Sequence, residues 1–230
     1  MKILSCVLAS CLLAIGTAAG AADHLYQLNG SLSDTLGGPD LVAHGGTLGA
    51  TSYTFGKDQG LSTQFSLGSV YTIDMSFSFD THNGWQKIVD FSGLAADQGM
   101  YTSGNQWNFY DVGGYTVAPA DGASARLTLT RDASSNFTLY VNGSQIGAFV
   151  DSSNKANFGA NMANFFIDDF HTGQNEATSG NVDYIRTYDR ALNSDEVARL
   201  ANPVPEPSTY AMLGAGLGLL ALLRRRQRRG

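Results

Sequence analysis

The clearest pattern in this chain is a strict alternation of apolar and polar positions. Over Tyr71–Asp80, one set of alternate positions carries Tyr, Ile, Met, Phe and Phe, and the other carries Thr, Asp, Ser, Ser and Asp. Successive side chains of a strand point to opposite faces, so this segment predicts a strand with one face in a core and one in water. Alternation over Ala125–Val150 predicts a three-stranded meander. Its last turn, Asn142-Gly143, accepts positive φ at both central positions.

Other short apolar runs bounded by turn residues predict further strands. These runs are Leu25–Leu28, Leu41–His44, Ser52–Phe55, Leu61–Phe65, Gln86–Phe91, Gly99–Tyr101, Gln106–Tyr110, Asn164–Asp168 and Val182–Tyr188. Many short strands in one domain predict an all-β fold built as a two-sheet antiparallel sandwich. One short helix is predicted over Asn193–Leu200, with Asn193 or Ser194 as N-cap and Glu196 completing a capping box.

Both ends of the chain predict targeting segments. At the front, Lys2 precedes an apolar run over Ile3–Ile15 and then small residues suited to signal peptidase, which predicts a secretory signal over 1–21. At the back, an apolar run over Tyr210–Leu223 is shorter than the ~20 residues of an ordinary membrane span, and by itself also fits a core helix. The arginines that follow favour a membrane helix with a stop-transfer flank. They are Arg224, Arg225, Arg226, Arg228 and Arg229.

Between these ends, over 22–203, the composition restricts the function. Three Lys and five Arg stand against seventeen Asp and two Glu, a net charge of −11. This charge argues against nucleic-acid binding, which needs clustered Lys and Arg. Both cysteines, Cys6 and Cys11, lie in the predicted signal. The mature domain is therefore predicted to contain neither disulfides nor a thiol site.

The C-terminal segment, 204–230, resembles the PEP-CTERM sorting signal. The resemblance rests on Pro205, Glu206 and Pro207, the short glycine-bearing apolar run over 210–223 and the terminal arginines. It implies recognition of the Pro-Glu-Pro motif by an exosortase-type processing enzyme and transient anchoring in the inner membrane. It also implies a Gram-negative source that makes exopolysaccharide, with the protein placed at the cell surface or in the extracellular matrix.

The domain over 22–203 resembles laminin G-like, concanavalin A-like jelly rolls. The most specific part is the strand, Tyr-Asp-Arg-Ala-Leu corner and capped helix that begin at Gly180. The opening Leu28–Ser31 and the hairpin over Thr128–Val141 agree with it. The resemblance implies a two-sheet jelly roll that binds glycans or proteins and sometimes calcium.

Catalysis is not predicted. Glycosidases of this architecture place two carboxylates close together, commonly two Glu on one strand. The domain contains only Glu176 and Glu196, which fall in a polar loop and in the predicted helix. The nearest Asp candidates are scattered, and Asp74 is predicted on the solvent face of its strand. The sequence therefore predicts a protein that is not an enzyme.

Two candidate binding sites remain. Calcium takes oxygen ligands grouped on loops, and the densest group is Asp168, Asp169, Glu176 and Asp183. The same residues also fit a role as turn formers and solubilising charges. Aromatic rings near loops predict a sugar platform at Trp85, Tyr101, Trp107 and Tyr110, with Trp85 the most exposed, although aromatics also commonly fill sandwich cores.

The resulting hypothesis is an exported, non-catalytic surface or matrix protein that binds exopolysaccharide or another surface glycan. One alternative is a structural or adhesive protein that binds protein partners. The other is a divergent polysaccharide hydrolase, which two carboxylates about 5–10 Å apart in a cleft would support.

Overall fold

A computed structural model describes residues 21–202 of the chain. The predicted signal, apart from its last residue, lies outside the described residues. So do the Pro205–Pro207 motif, the apolar run over 210–223 and the arginine tail. Among the residues described, no helix has the length and apolar character needed to cross a membrane.

The described residues fold into fifteen strands and one helix. In chain order the strands are β1 (His24–Tyr26), β2 (Val42–His44), β3 (Thr47–Leu48), β4 (Tyr53–Phe55), β5 (Gly60–Ser62), β6 (Tyr71–Phe79), β7 (Trp85–Asp90), β8 (Gly99–Ser103), β9 (Gln106–Phe109), β10 (Gly113–Val117), β11 (Ala125–Arg131), β12 (Asn136–Val141), β13 (Ser144–Val150), β14 (Asn164–Phe165) and β15 (Gly180–Tyr188); the helix is α1 (Ser194–Ala201).

The strands form two antiparallel sheets, as predicted. An eight-stranded sheet has the order β13-β12-β11-β6-β15-β4-β3, with β1 also paired to β15. A seven-stranded sheet has the order β10-β9-β8-β7-β14-β5-β2. Non-consecutive neighbours such as β6 with β15 place distant parts of the chain side by side. The result is the jelly-roll sandwich that the pattern of short strands indicated.

The core lies between the sheets and is rich in aromatic side chains. Alternate residues of β6 supply one wall, and Phe77 meets Trp107 of β9 with ring centroids 6.1 Å apart. Phe77 also contacts Phe166, which follows β14, at 5.3 Å. The apolar face predicted for the Tyr71–Asp80 segment is therefore confirmed.

The predicted solvent exposure of Asp74 is wrong, because its side chain is fully buried. β6 is an interior strand between β11 and β15. Cross-strand neighbours therefore cover its polar face, and Arg126 and Arg186 form ion pairs with Asp74. Long arginine side chains can bury a carboxylate on a sheet face that alternation alone assigns to water.

Strand boundaries differ from the predictions where backbone geometry interrupts pairing. β14 stops at Phe165 instead of continuing to Asp168, and Phe166 adopts a φ of +67°, which extended strand does not allow. Two strands, β3 and β10, were not predicted. β10 begins with Gly113-Gly114 and lies at a sheet edge, so it carries little of the apolar alternation that identifies strands.

The C-terminal helix forms where predicted, with Asn193 as its N-cap. The Asn193 side chain accepts a hydrogen bond from the Glu196 N–H, and the Glu196 carboxylate accepts one from the Asn193 N–H. Val197 of α1 packs with Tyr140 and Tyr188 on the outer face of the eight-stranded sheet. The helix and the side chains that pack against it therefore cover part of that face.

Candidate functional site

A short stretch of β7 and β8 brings candidate functional residues onto the outer face of the seven-stranded sheet. Met100 belongs to the core, so its neighbour Tyr101 points away from the core. Lys87 pairs with Tyr101 across the two strands and therefore shares that outer face. Trp85, two residues before Lys87, lies on the same face.

Three rings on this face form an aromatic patch, consisting of Trp85, Tyr101 and Tyr110. The Trp85 ring centroid lies 5.4 Å from that of Tyr101 and 5.8 Å from that of Tyr110. Trp85 and Tyr110 are half-buried, whereas Tyr101 is fully buried beside them. The Tyr101 hydroxyl donates a 2.8 Å hydrogen bond to Oδ1 of Asp97. Two rings of the patch are therefore partly open to solvent.

Next to the patch lies a buried ion cluster, the Lys87 cluster, made of Lys87, Asp90, Asp168 and Asp169. The Lys87 Nζ is 3.4 Å from Oδ2 of Asp90 and 3.6 Å from Oδ1 of Asp168, and it contacts Oδ2 of Asp169. All four side chains have zero solvent exposure. The same Nζ lies 5.0 Å from the centroid of the Tyr101 ring, which joins the cluster to the patch.

The loop between β14 and β15 carries two of these aspartates to the cluster. Phe166 N–H donates to the Ile88 carbonyl, and Lys87 N–H donates to the Glu176 carbonyl. The chain therefore leaves the edge of β7 and returns to it, and the intervening loop holds Asp168 and Asp169. Asp168 Oδ2 accepts hydrogen bonds from Thr172 Oγ1 at 3.1 Å and from Glu176 N at 2.8 Å, which fixes the loop.

Electrostatics distinguish the carboxyl groups of this region. Burial, followed by the negative charges of Asp97 and Asp168, raises the pKa of Glu176 from 4.5 to about 7. Burial also raises the pKa of Asp90. For Asp169 burial acts in the same direction, but the hydrogen bond and charge of Lys87 outweigh it and lower the pKa. Oε2 of Glu176 is buried and has no hydrogen-bond partner among residues 21–202.

The four predicted calcium ligands do not meet in one place. Asp168, Asp169 and Glu176 lie in the loop beside β7, but Asp183 lies on the eight-stranded sheet and accepts a 2.8 Å hydrogen bond from Ser76 Oγ. The Lys87 ammonium already lies among the Asp carboxylates. Within residues 21–202, no three His, Cys, Asp or Glu side chains are grouped so as to hold a metal ion. This donor set does not fit calcium.

The predicted aromatic platform divides between the surface and the core. Trp85, Tyr101 and Tyr110 come together on the outer face, as the patch shows. Trp107 points the other way and is fully buried in the core, so it cannot contact a ligand at the surface. Trp107 of β9 pairs with Thr102 of β8, so the two side chains lie on the same face of the sheet. Tyr101 is the neighbour of Thr102 in β8, and because successive side chains of a strand alternate, it points to the opposite face.

Sequence reasoning missed Lys87 and Asp97, and it treated Asp90 only as one of several scattered aspartates. Residues three apart in a regular strand point to opposite faces, so the sequence did not predict an ion pair between Lys87 and Asp90. A register shift between Lys87 and Val89 changes the phase of β7 and brings both side chains to one face. A lysine inside a predicted strand, in a domain with only three Lys, was the available signal.

Comparison with protein families identifies the class of domain. The family model described as the concanavalin A-like lectin/glucanases superfamily, a laminin G-like family, matches residues 48–198. The match covers more than half of the chain, and the protein belongs to this family. The model of the PEP-CTERM protein-sorting motif matches residues 203–229. A search of curated proteins finds no match.

Several solved structures share the fold. A Trypanosoma rangeli sialidase in complex with 2,3-difluoro-KDN matches with a TM-score of 0.64 and 17% identity, covering 81% of this chain and 33% of the sialidase. Domain 4 of AbnA, a GH43 extracellular arabinanase from Geobacillus stearothermophilus solved with arabinotriose, matches with a TM-score of 0.56 and 14% identity, covering 79% of this chain and 98% of that domain. The binding domain of Paraclostridial Mosquitocidal Protein 1 matches with a TM-score of 0.53 and 16% identity, covering 74% and 48%.

These similarities establish the fold, and the chain spans about a third of the sialidase. Function follows from the fold only at a coarse level, because one architecture hosts many activities. A concanavalin A-like domain followed by a PEP-CTERM motif indicates an exported surface or extracellular protein of a Gram-negative bacterium.

Proposed function

We propose that this protein is a non-catalytic surface or matrix protein that binds exopolysaccharide or another glycan through the aromatic patch. The observation that carries this proposal is the pair of half-buried rings, Trp85 and Tyr110, packed against buried Tyr101. Rings held by neighbouring rings lose little conformational freedom when a ligand stacks on them. The patch is therefore preorganised for a flat, partly apolar ligand.

The chemistry of the surroundings suits a sugar. The face of an aromatic ring carries negative charge density and attracts the C–H groups of a sugar ring. Asp97 and Glu176 are half-buried close by and supply carboxylate oxygens that accept hydrogen bonds from hydroxyl groups. A few polar groups beside apolar rings are typical of small-molecule sites. The arabinanase domain solved in complex with arabinotriose supports this proposal, since that domain has a similar fold and binds a glycan.

The proposed organisation assigns each segment a step in export. Residues 1–21 direct secretion, residues 22–203 form the binding domain, and residues 204–230 form the sorting signal. An exosortase-type enzyme recognises Pro205, Glu206 and Pro207 while the apolar run over 210–223 and its arginines hold the chain transiently in the inner membrane. Deleting 204–230 should send the domain to the medium, which fractionation of the cells tests.

Binding is tested with the domain over 22–203 and the purified exopolysaccharide of the producing organism. Residues 21–202 belong to one compact unit, so this fragment is suitable. Trp85→Ala should weaken retention roughly fivefold, because a packed aromatic contact contributes about 1 kcal/mol. Tyr184→Ala is the matched control, since Tyr184 is a half-buried aromatic on the other sheet.

A chelator should leave retention unchanged, because the Lys87 cluster does not fit calcium. Retention that the chelator abolishes would move the site away from the patch. No retention of the folded wild-type domain would favour the adhesive alternative, in which the surface binds protein partners.

One observation favours polysaccharide hydrolysis as the second candidate function. Glu176 has a pKa near 7 and interacts with Asp97. A carboxylic acid with a raised pKa beside a second carboxyl group is the arrangement that glycosidases use. Glu196, the other Glu of the domain, is bound to Arg190 and the helix N-terminus and is unsuited to this role. New reducing ends in the exopolysaccharide, abolished by Glu176→Gln, would establish hydrolysis in place of simple binding.

A further inference from the structure

The Lys87 cluster contains more buried negative charge than its one cation can balance. Three carboxylates surround one ammonium, and none of the four side chains is exposed. Burying charges is costly even when they are paired, and unbalanced buried charge costs more. Any reaction that removes charge from such a buried cluster lowers this free-energy cost.

We propose that Lys87 and Asp169 are joined by an intramolecular amide bond that forms after folding. The Nζ of Lys87 attacks Cγ of Asp169, so that the Nζ–Cγ bond forms and the Cγ–Oδ2 bond breaks. Before the attack, one proton passes from the Lys87 ammonium to Oδ2 of Asp169, which frees the lone pair of Nζ. After it, a second proton passes from Nζ to the same oxygen, and Oδ2 leaves as water. Atoms and electrons balance without an oxidant or a co-reactant.

The neighbouring groups hold Asp169 ready for this attack. Oδ2 of Asp169 contacts the lysine Nζ, while Oδ1 accepts a 2.7 Å hydrogen bond from the His171 backbone N–H. A backbone N–H on the oxygen that stays behind stabilises the negative charge that develops there in the tetrahedral intermediate. Fixing amine and carboxyl in contact replaces a bimolecular encounter with an intramolecular one.

Asp90 is the group placed to move the protons. Its Oδ2 lies 3.4 Å from the Lys87 Nζ. Its Oδ1 is held by the N–H groups of Ser92 and Leu94 at 3.1 and 2.8 Å, so the carboxyl cannot turn away. Burial raises the pKa of Asp90, which favours its taking a proton from nitrogen and passing it to the leaving oxygen.

The product suits this location. The amide is neutral, so its formation removes two charges from a site that excludes water, with the Tyr101 ring 5.0 Å from Nζ. The bond ties β7 to the loop between β14 and β15 across 82 residues of chain. An exported domain whose residues 22–203 include no Cys thereby gains a covalent cross-link. It also fixes the loop that carries Glu176 to the aromatic patch.

Tryptic digestion of the folded and then denatured full chain tests the bond. A free Lys87 allows cleavage, which gives separate fragments 58–87, 88–126 and 156–186. An amide at Lys87 blocks that cleavage and joins fragment 58–126 to fragment 156–186, with a mass smaller than their sum by one water. We expect the joined fragment, with fragmentation placing the link at Asp169.

Two substitutions keep every tryptic site and serve as controls. Lys87→Arg cannot form the amide and should yield separate fragments. Lys155→Arg alters the exposed Lys155–Asp111 pair and should leave the joined fragment intact. Asp90→Asn should strongly reduce the joined fraction, because it removes the proton carrier and leaves the attacking amine in place.

Separate fragments from the wild-type chain, cleaved fully after Lys87, would overturn the proposal and leave an ordinary ion cluster. A link from Lys87 to any residue other than Asp169 would overturn the assignment of the acceptor. The wild-type digest decides the question even if Lys87→Arg fails to fold.

Discussion

The outer faces of the two sheets both bury carboxylates, but they balance them in opposite ways. On the eight-stranded sheet, Asp74 lies 2.7 Å from the Arg126 Nε and 2.8 Å from the Arg186 Nε, so one carboxylate meets two cations. On the seven-stranded sheet, Lys87 is one cation among three carboxylates. The first face is partly covered by α1, whereas the second carries the aromatic patch.

The difference shows how each face uses its charge. Arginine is charged at every ordinary pH and its planar fork suits a structural carboxylate, and the Arg186 guanidinium also lies 4.6 Å from the Tyr184 ring. Lysine is a single point charge that can lose its proton when it is buried. The arginines of the eight-stranded face therefore keep their charge at every ordinary pH. On the seven-stranded face we expect proton transfer and ligand binding.

The largest effect should come from Lys87→Met on the seven-stranded face. Without Lys87, the buried carboxylates of Asp90, Asp168 and Asp169 have neither a cation nor an amide partner, and we expect a loss of about 4 kcal/mol in the free energy of unfolding at pH 7. The loss should shrink near pH 4.5, where carboxyl groups take up protons. Urea unfolding at both pH values measures it. Equal losses at both would show that charge is not the cause.

Asp74→Asn on the eight-stranded face should cost nearly as much, about 3 kcal/mol, because two arginines lose their shared carboxylate. Arginines do not lose their charge with pH, so this loss should be the same at pH 7 and pH 4.5. The same urea experiment compares the two faces directly. A loss that recovers at low pH would contradict the contrast between them.

Glu176→Gln should change the pH dependence of stability. The pKa of Glu176 is raised from 4.5 to about 7 in the folded state, so the folded chain binds more protons than the unfolded chain in this window. Wild-type stability should therefore fall as pH rises from about 4.5 to 7, by about 1 kcal/mol after solvent screening. Gln should remove this fall, as thermal unfolding at several pH values can show.

Glu196→Gln is the matched control for that experiment. The hydrogen bond from Arg190, followed by the helix contact with Asn193 and the arginine charges, lowers the pKa of Glu196 in spite of partial burial. Its contribution is present above its unfolded pKa and is lost as pH falls, which is the opposite sign to that of Glu176. The two variants should therefore tilt the stability curve in opposite directions.

The smallest effect should come from Lys155→Met. Lys155 pairs with Asp111, whose side chain is 70% exposed, so water screens the interaction. We expect a change of about 0.5 kcal/mol or less in the free energy of unfolding. A cost similar to that of Lys87→Met would mean that burial does not separate the two lysines.

Most of the sandwich could be predicted from local pattern. Alternation over the Tyr71–Asp80 segment gave a strand that the structure places at the centre of a sheet, and Asn193 with Glu196 gave the capping box. The aromatic patch was predicted in part, since Trp85, Tyr101 and Tyr110 do meet while Trp107 faces the core. Aromatic residues look alike in sequence whichever face of a strand they occupy.

The Lys87 cluster could not be predicted in the same way, because its members come from distant segments. Lys87 and Asp169 are 82 residues apart, and a bulge in β7 is needed to turn Lys87 and Asp90 to one face. The sequence by itself determined the strand periodicity, the capped helix, the charge balance and the targeting motifs, because these depend on neighbouring residues. Only the tertiary structure decided which carboxylates share a cation and which rings reach the surface, because strand pairing and burial set those contacts.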